Sequence, residues 1–168
     1  MGEAAGIEAE LHRRLKGRVL LIGAGNTLRG DDGAGPGLIA LLDGKINADL
    51  LDVGEVPESY FSRILEARAD TVVFIDAASF GGAPGDVAVF EAEDIAGCSL
   101  STHQMPVDLF FRYIRQNGHA ELFAIGIQPA QIGFGEPVSP GVEATVRALA
   151  ELLRGILPPR KDGQGRSR

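Results

Sequence analysis

The sequence predicts an α/β protein whose central sheet is covered by helices on both faces. Five short segments rich in Val, Ile, Leu and Phe recur along the 168 residues, and their apolar side chains run continuously instead of alternating with polar ones. That pattern is typical of strands buried on both faces. Segments with apolar residues at helical spacing lie between them. The connection after the third strand is too short for a helix, which predicts a mixed sheet with strand four antiparallel.

The predicted strands cover residues 18–22, 48–53, 71–75, 86–90 and 122–127. Helices are predicted at residues 35–42, 59–68 and 104–116, each with one apolar stripe. A last helix begins after Ser139 as N-cap, with Pro140 in its first turn, and its stripe continues to Ile156. Alternating strands and helices predict right-handed parallel connections. Residues 76–85 are rich in Ala, Gly and Pro and are the exception that turns the fourth strand around.

One domain, residues 18–157, is expected between two appended ends. Residues 1–17 form an N-terminal helical arm in this prediction, because Ile7, Leu11 and Leu15 repeat every fourth position. The arm is expected either to pack on the domain or to be partly ordered. Residues 158–168 follow two prolines and are polar and basic, so a disordered tail is predicted.

Charge and composition exclude several classes of protein. Residues 19–157 hold 8 basic and 19 acidic side chains, a net charge of −11, which disfavours binding to nucleic acid. We expect a cytoplasmic protein that does not bind membranes, since neither a secretory signal nor a run of about 20 apolar residues is present. A monomer is also expected. Cys98 is the single cysteine, so it is predicted to be a small buried apolar side chain and not part of a thiolate metal site.

The loop after the first strand, residues 23–35, is the first candidate for a site. It lies between a strand and a helix, where open α/β sheets bind ligands. It lacks the third glycine of a dinucleotide fingerprint, because Leu28 stands there, and Gly30 is followed by Asp31 and Asp32 where a P-loop needs Lys and Ser or Thr. Two carboxylates repel phosphate and attract a metal ion. Asp32 is predicted as the ligand, and Asp31 as a helix cap or a brace of the loop.

Two further loops bring one candidate each. Asp76 follows the third strand and is expected to face the same crevice, although an Asp there also serves to brace a Gly-rich turn. His103 lies at the start of the third predicted helix, where a neutral imidazole is favoured, although a packed core histidine is the alternative. His12 and His119 are poor candidates by position. From the residues alone, these three side chains support a metal site on an α/β domain.

Four sequence blocks follow one another along the chain: Gly23-x-Gly-Asn-x-Leu-x-x-Asp-Asp-Gly-Ala-Gly35, Phe74-Ile-Asp-Ala77, Thr102-His-Gln-Met-Pro106 and Gly126-Ile-Gln-Pro129 with Gly133-Phe134. In this order they resemble the maturation endopeptidases of nickel-iron hydrogenases. The last block is similar to the subgroup that processes the large subunit of hydrogenase 3. The resemblance covers residues 18–157 and implies a three-layer α/β/α sandwich around a mixed five-stranded sheet.

The resemblance also implies an activity and a partner. Asp32, Asp76 and His103 match the residues that recognise nickel and support cleavage, and the implied substrate is a hydrogenase large-subunit precursor whose C-terminal extension is removed. We expect nickel to arrive with the precursor, because three protein ligands leave metal positions open. We expect no nucleotide to bind, because the first loop lacks the dinucleotide and P-loop patterns. The three ligands are expected to be exposed at loop ends, so that alanine leaves the fold intact. Residues 128–137 are expected to border the peptide-binding cleft.

Two other functions are compatible with the residues. One is a non-proteolytic metal-binding assembly factor of the same fold, because no serine or cysteine nucleophile is identifiable. The other is a nucleotide-dependent enzyme that uses the first loop.

Overall fold

A computed structural model describes residues 2–95, 99–100 and 106–160. The helices are α1 (Gly2–Arg14), α2 (Ala34–Leu42), α3 (Phe61–Glu66), α4 (Val107–Asn117) and α5 (Pro140–Ile156), and 3-10 turns cover Gly30–Gly33 and Pro57–Tyr60. The strands are β1 (Val19–Ala24), β2 (Asp49–Gly54), β3 (Thr71–Ser79), β4 (Val87–Phe90), β5 (Ser99–Leu100) and β6 (Glu121–Ile127). Within the described ranges, no helix is long and apolar enough to cross a bilayer.

Five strands form one mixed sheet in the order β2-β1-β3-β6-β4. β1 pairs with β2 and with β3 in parallel, and β3 pairs with β6 in parallel. β4 runs antiparallel to β6, as the short connection predicts. The two-residue β5 lies off this path, antiparallel to the end of β3. β3 continues to Ser79, four residues beyond its predicted end, because its ladder with β6 runs on to Ala77 after its pairing with β1 has stopped at Ile75.

Helices cover both faces of the sheet, which makes three layers. Successive residues of β3 point to opposite faces: Val73 and Ile75 pack with α1, α2 and α5, whereas Val72 and Phe74 pack with α3 and α4. All residues of β1 and all but the first of β6 are buried. The prediction of strands covered on both sides is confirmed.

The helix predicted within residues 2–15 is present as α1, and its apolar stripe belongs to the core. Leu11 and Leu15 are buried in the same cluster as α2 and α5. Arg14 is buried as well: its guanidinium donates to Glu121 Oε1 and Glu91 Oε2, each at 3.0 Å, and lies 4.1 Å from the centroid of the Phe123 ring. Burial works to lower the pKa of Arg14, but its bonds and charge attraction to the two glutamates raise it overall. The division of the chain at residues 17 and 157 stays a prediction.

Candidate active site

The first loop holds Asp32 in a 3-10 turn between β1 and α2. Asp32 is 1% exposed, and its Oδ2 accepts a hydrogen bond of 2.9 Å from the Asn26 N–H. Its Oδ1 is buried and has no hydrogen-bond partner among the described residues. A buried carboxylate oxygen without a donor is costly in a folded protein. The bond to Oδ2 thus fixes the orientation of the Asp32 carboxylate, and Oδ1 can accept a metal ion or a proton.

Two glycines allow the loop to close tightly around Asp32. Gly25 has a φ of +131°, and a Cβ there would lie 1.8 Å from the Asp32 carbonyl oxygen. Gly35, in the first turn of α2, would place a Cβ 2.5 Å from the carbonyl oxygens of Ala24 and Ile75. Glycine at both positions lets α2 approach the ends of β1 and β3. The close approach accounts for glycine at these two positions of the loop.

Asp31 braces the site and caps no helix. Its carboxylate is fully buried and accepts four hydrogen bonds, from the N–H groups of Ala130, Gln131 and Ser139 and from the Ser139 hydroxyl, at 2.7 to 3.1 Å. The N-cap of α2 is Gly33, without a side-chain capping bond. The capping alternative for Asp31 and Asp32 is therefore wrong, and the bracing alternative for Asp31 is confirmed. Ser139 precedes α5 as predicted, but its hydroxyl serves Asp31 and makes no capping bond.

Asp76 lies on β3 beside the first loop. It follows Ile75, where the pairing of β3 with β1 ends, and it pairs with Gly126 of β6. Cα atoms of β3 lie within 8 Å of Cα atoms in the Gly30–Gly33 turn that contains Asp32. Asp76 is fully buried. The expectation of exposed ligands is wrong for both aspartates, because the β3 ladder continues past Asp76 and the loop folds over Asp32.

The third candidate, His103, lies outside the described residues, as does Cys98. Consequently the complete trio cannot be assembled from residues 2–95, 99–100 and 106–160, and within these ranges no three His, Cys, Asp or Glu side chains form a metal-binding group. His12 and His119 are exposed, on α1 and after α4.

Gln128 and Asn26 organise the surrounding loops. Both lie in the sequence blocks quoted above, but the sequence predicts no bracing role for either. The Gln128 Oε1 accepts hydrogen bonds from the N–H groups of Phe80 and Gly82, at 2.9 and 3.2 Å, and so braces the Gly-rich turn after β3. The Asn26 Oδ1 accepts from the Leu28 N–H at 2.8 Å. An Asn that bonds two residues ahead is a recognised turn pattern, and it was the available signal for Asn26. Gln128 offered none, because its partners lie 46 and 48 positions away.

These observations define the class of protein: a three-layer α/β protein with a buried acidic site where its parallel strands end. The family model described as HycI, hydrogenase maturation protease, matches residues 38–156. The hydrogenase 3 maturation protease of Escherichia coli K12 is 31% identical over 139 residues, which cover 81% of this chain and 88% of that protein.

Solved structures agree with this match. A crystal structure of a nickel-iron hydrogenase maturation protease, HycI, from Thermococcus kodakarensis KOD1 has a TM-score of 0.81 and 33% identity, covering 88% of this chain and 98% of that one. A crystal structure of the hydrogenase 3 maturation protease has a TM-score of 0.75 and 30% identity, covering 83% and 90%. The chain belongs to the HycI family of hydrogenase maturation proteases. It is accordingly a peptidase with the α/β fold of that family.

Proposed function

We propose that this peptidase removes the C-terminal extension of a nickel-iron hydrogenase large-subunit precursor after nickel insertion, and that Asp32, Asp76 and His103 recognise the nickel. The observation that carries the proposal is the buried Asp32 Oδ1, which has no hydrogen-bond partner among the described residues. It lies in a turn adjacent to the strand of Asp76. A site that keeps a carboxylate oxygen buried and without a donor is prepared for a cation.

The donor set suits a metal that the substrate brings. Two carboxylates and one imidazole are accepted by borderline divalent ions, and three protein ligands leave coordination positions for groups of the precursor. Binding of nickel to the free enzyme should therefore be weak. Thiolates would strengthen it, but Cys98 is the single cysteine of the chain. The metal is thus part of the substrate and reports that the precursor has been loaded.

Hydrolysis then needs no side-chain nucleophile. A metal ion beside the scissile bond polarises the carbonyl or a bound water. The water oxygen attacks the carbonyl carbon and its proton passes to a carboxylate. The same carboxyl group then gives this proton to the leaving amine as the C–N bond breaks. The proton acceptor is a carboxylate of the trio, and Asp32 is held in position for the reaction by the hydrogen bond from the Asn26 N–H to its Oδ2.

Cleavage of purified precursor tests the proposal. The enzyme is mixed with nickel-free and nickel-loaded precursor, and the mass of the large subunit is followed by mass spectrometry. We expect the loaded form to lose its C-terminal extension and the nickel-free form to stay intact. If both forms shorten at the same rate, or neither shortens, nickel does not control the reaction. Calorimetry should detect no nanomolar nickel binding by the free enzyme, since such binding would make nickel a resident cofactor.

The expectations of a cytoplasmic monomer, and of a chain that binds no nucleotide, nucleic acid or membrane, stay predictions. A thermal shift with NAD or ATP checks the nucleotide expectation, because a ligand that binds the folded state raises its apparent stability.

A further inference from the structure

Four apolar side chains are exposed on two loops beside Asp32. Phe134 is 74% and Leu28 is 60% exposed, and Ile132 and Val138 are exposed to smaller extents. We call these four side chains the apolar platform. Large apolar side chains that stay in water give up the free energy that burial would provide, and clustered ones mark interaction sites.

Backbone hydrogen bonds place the two loops side by side. The Gly135 N–H donates to the Leu28 carbonyl at 2.8 Å, which brings the backbone next to Phe134 against Leu28. The Gly30 N–H donates to the Glu136 carbonyl at 3.0 Å, and the Asp31 N–H donates to the Gln131 carbonyl at 2.8 Å. Together with the carboxylate of Asp31, these bonds join the loop of Leu28 and the loop of Phe134 into one surface.

The loop that carries Phe134 is also braced internally. The Gln131 Nε2 donates to the Pro137 carbonyl at 2.7 Å, and the Glu136 carboxylate accepts from the Gly133 N–H at 2.6 Å. Glu136 is the one charged residue between positions 128 and 138. An aromatic side chain on a braced, nearly uncharged loop loses little conformational entropy when a partner covers it.

We propose that the apolar platform docks the apolar segment of the precursor that flanks the bond to be cut. This inference rests on the proposed function. The occupant follows from continuity with the site, because Leu28 lies four positions before Asp32 in the same loop and Asp31 holds both loops. The platform is therefore part of the surface around the loop that contains Asp32. Its apolar character within an otherwise acidic domain favours apolar side chains of the substrate over charged ones.

Affinity for the precursor tests the platform separately from cleavage. Phe134→Gln and Leu28→Gln remove platform side chains, and Leu109→Gln is the matched control, since Leu109 is 44% exposed on α4. Binding to nickel-free precursor is measured by interferometry, and KM and kcat are measured with loaded precursor. Each platform variant should raise Kd and KM about tenfold or more and leave kcat within about twofold, while the control matches wild type. Thermal unfolding checks that all variants fold.

Two results would contradict the assignment of the apolar platform as the docking surface for the precursor. One is an unchanged Kd in the folded double variant Leu28→Gln/Phe134→Gln. Another is a wild-type dimer in light scattering that Phe134→Gln dissociates while Kd for the precursor stays constant, because the surface would then bind a second copy of this chain. If wild type binds the precursor but never shortens it, the proposed function is wrong, and the Kd comparison still decides whether the platform is the docking surface.

Discussion

Replacing the buried Asp31 by alanine should destabilise the loop beside the site, because its carboxylate joins this loop to residues 130–139. Four donors lose their acceptor: the N–H groups of Ala130, Gln131 and Ser139 and the Ser139 hydroxyl. Each buried donor left without a partner costs about 1–3 kcal/mol, but the loop can open and let water reach some of them. We expect the free energy of unfolding to fall by about 3–5 kcal/mol.

Denaturant unfolding measures the fall in the free energy of unfolding, and amide hydrogen exchange measures the local loss of stability in the loop. Protection of the Ala130 and Ser139 amides should fall about 100-fold or more, which corresponds to about 2.7 kcal/mol of local stability. Asp52→Ala is the matched control, because Asp52 is exposed and the one described hydrogen bond of its carboxylate is a local one from the Gly54 N–H. If Asp31→Ala loses no more stability than this control, the bracing role of Asp31 is refuted.

Three further predictions concern the core and one surface pair. Arg14→Met should lower the free energy of unfolding by about 2 kcal/mol, because the charged hydrogen bonds and the contact with the Phe123 ring are lost while the partly exposed glutamates regain water. Equal urea midpoints for Arg14→Met and wild type would contradict this prediction. Gly35→Ala should lower both stability, by about 3 kcal/mol or more, and cleavage, because its Cβ meets immobile backbone oxygens at 2.5 Å; an unchanged melting temperature would contradict it. The hydrogen bond from Arg115 lowers the pKa of Glu93 below its ordinary 4.5. The small stabilisation that this ion pair gives the folded state is therefore present above pH 4.5 and is lost as the pH falls through the lower pKa of the folded protein. Arg115→Ala should raise the Glu93 pKa toward 4.5 in a carboxyl NMR titration, and an unmoved pKa would refute the pairing.

Local patterns predicted most of the fold. The continuous apolar runs of β1, β3 and β6 indicated burial on both faces, and the short connection after β3 indicated an antiparallel β4. The strand with which β4 pairs could not be predicted, because strand pairing depends on tertiary contacts as well as on the length of the connecting loop. The burial of Arg14 was missed for the same reason: its partners Glu91 and Glu121 lie 77 and 107 positions away.

The site was predictable in its residues but not in its environment. The Asp31-Asp32 pair and Asp76 could be found by their positions after strands. The sequence left Asp31 as either a helix cap or a brace, because capping needs only one of the two carboxylates, and the hydrogen bonds to Asp31 decide for the brace. The burial of Asp31 could not be foreseen, since it depends on residues 99 to 108 positions further along the chain that fold back onto it. Asp32 and Asp76 are also buried, which their positions after strands did not indicate. Consequently alanine at Asp32 or Asp76 tests stability as well as chemistry. Asparagine is the better substitution, because it keeps the size of the side chain.

Single-turnover cleavage of nickel-loaded precursor by Asp32→Asn tests the central claim most directly. The amide oxygen of asparagine can still accept the hydrogen bond from the Asn26 N–H, so the loop should keep its conformation, and hydrogen exchange of Asn26 confirms this. Loss of the anionic oxygen should slow cleavage by about three orders of magnitude, as expected for removal of a group that stabilises the transition state. A folded Asp32→Asn enzyme that cleaves the loaded precursor within about threefold of the wild-type rate would contradict the assignment of Asp32 to the reaction.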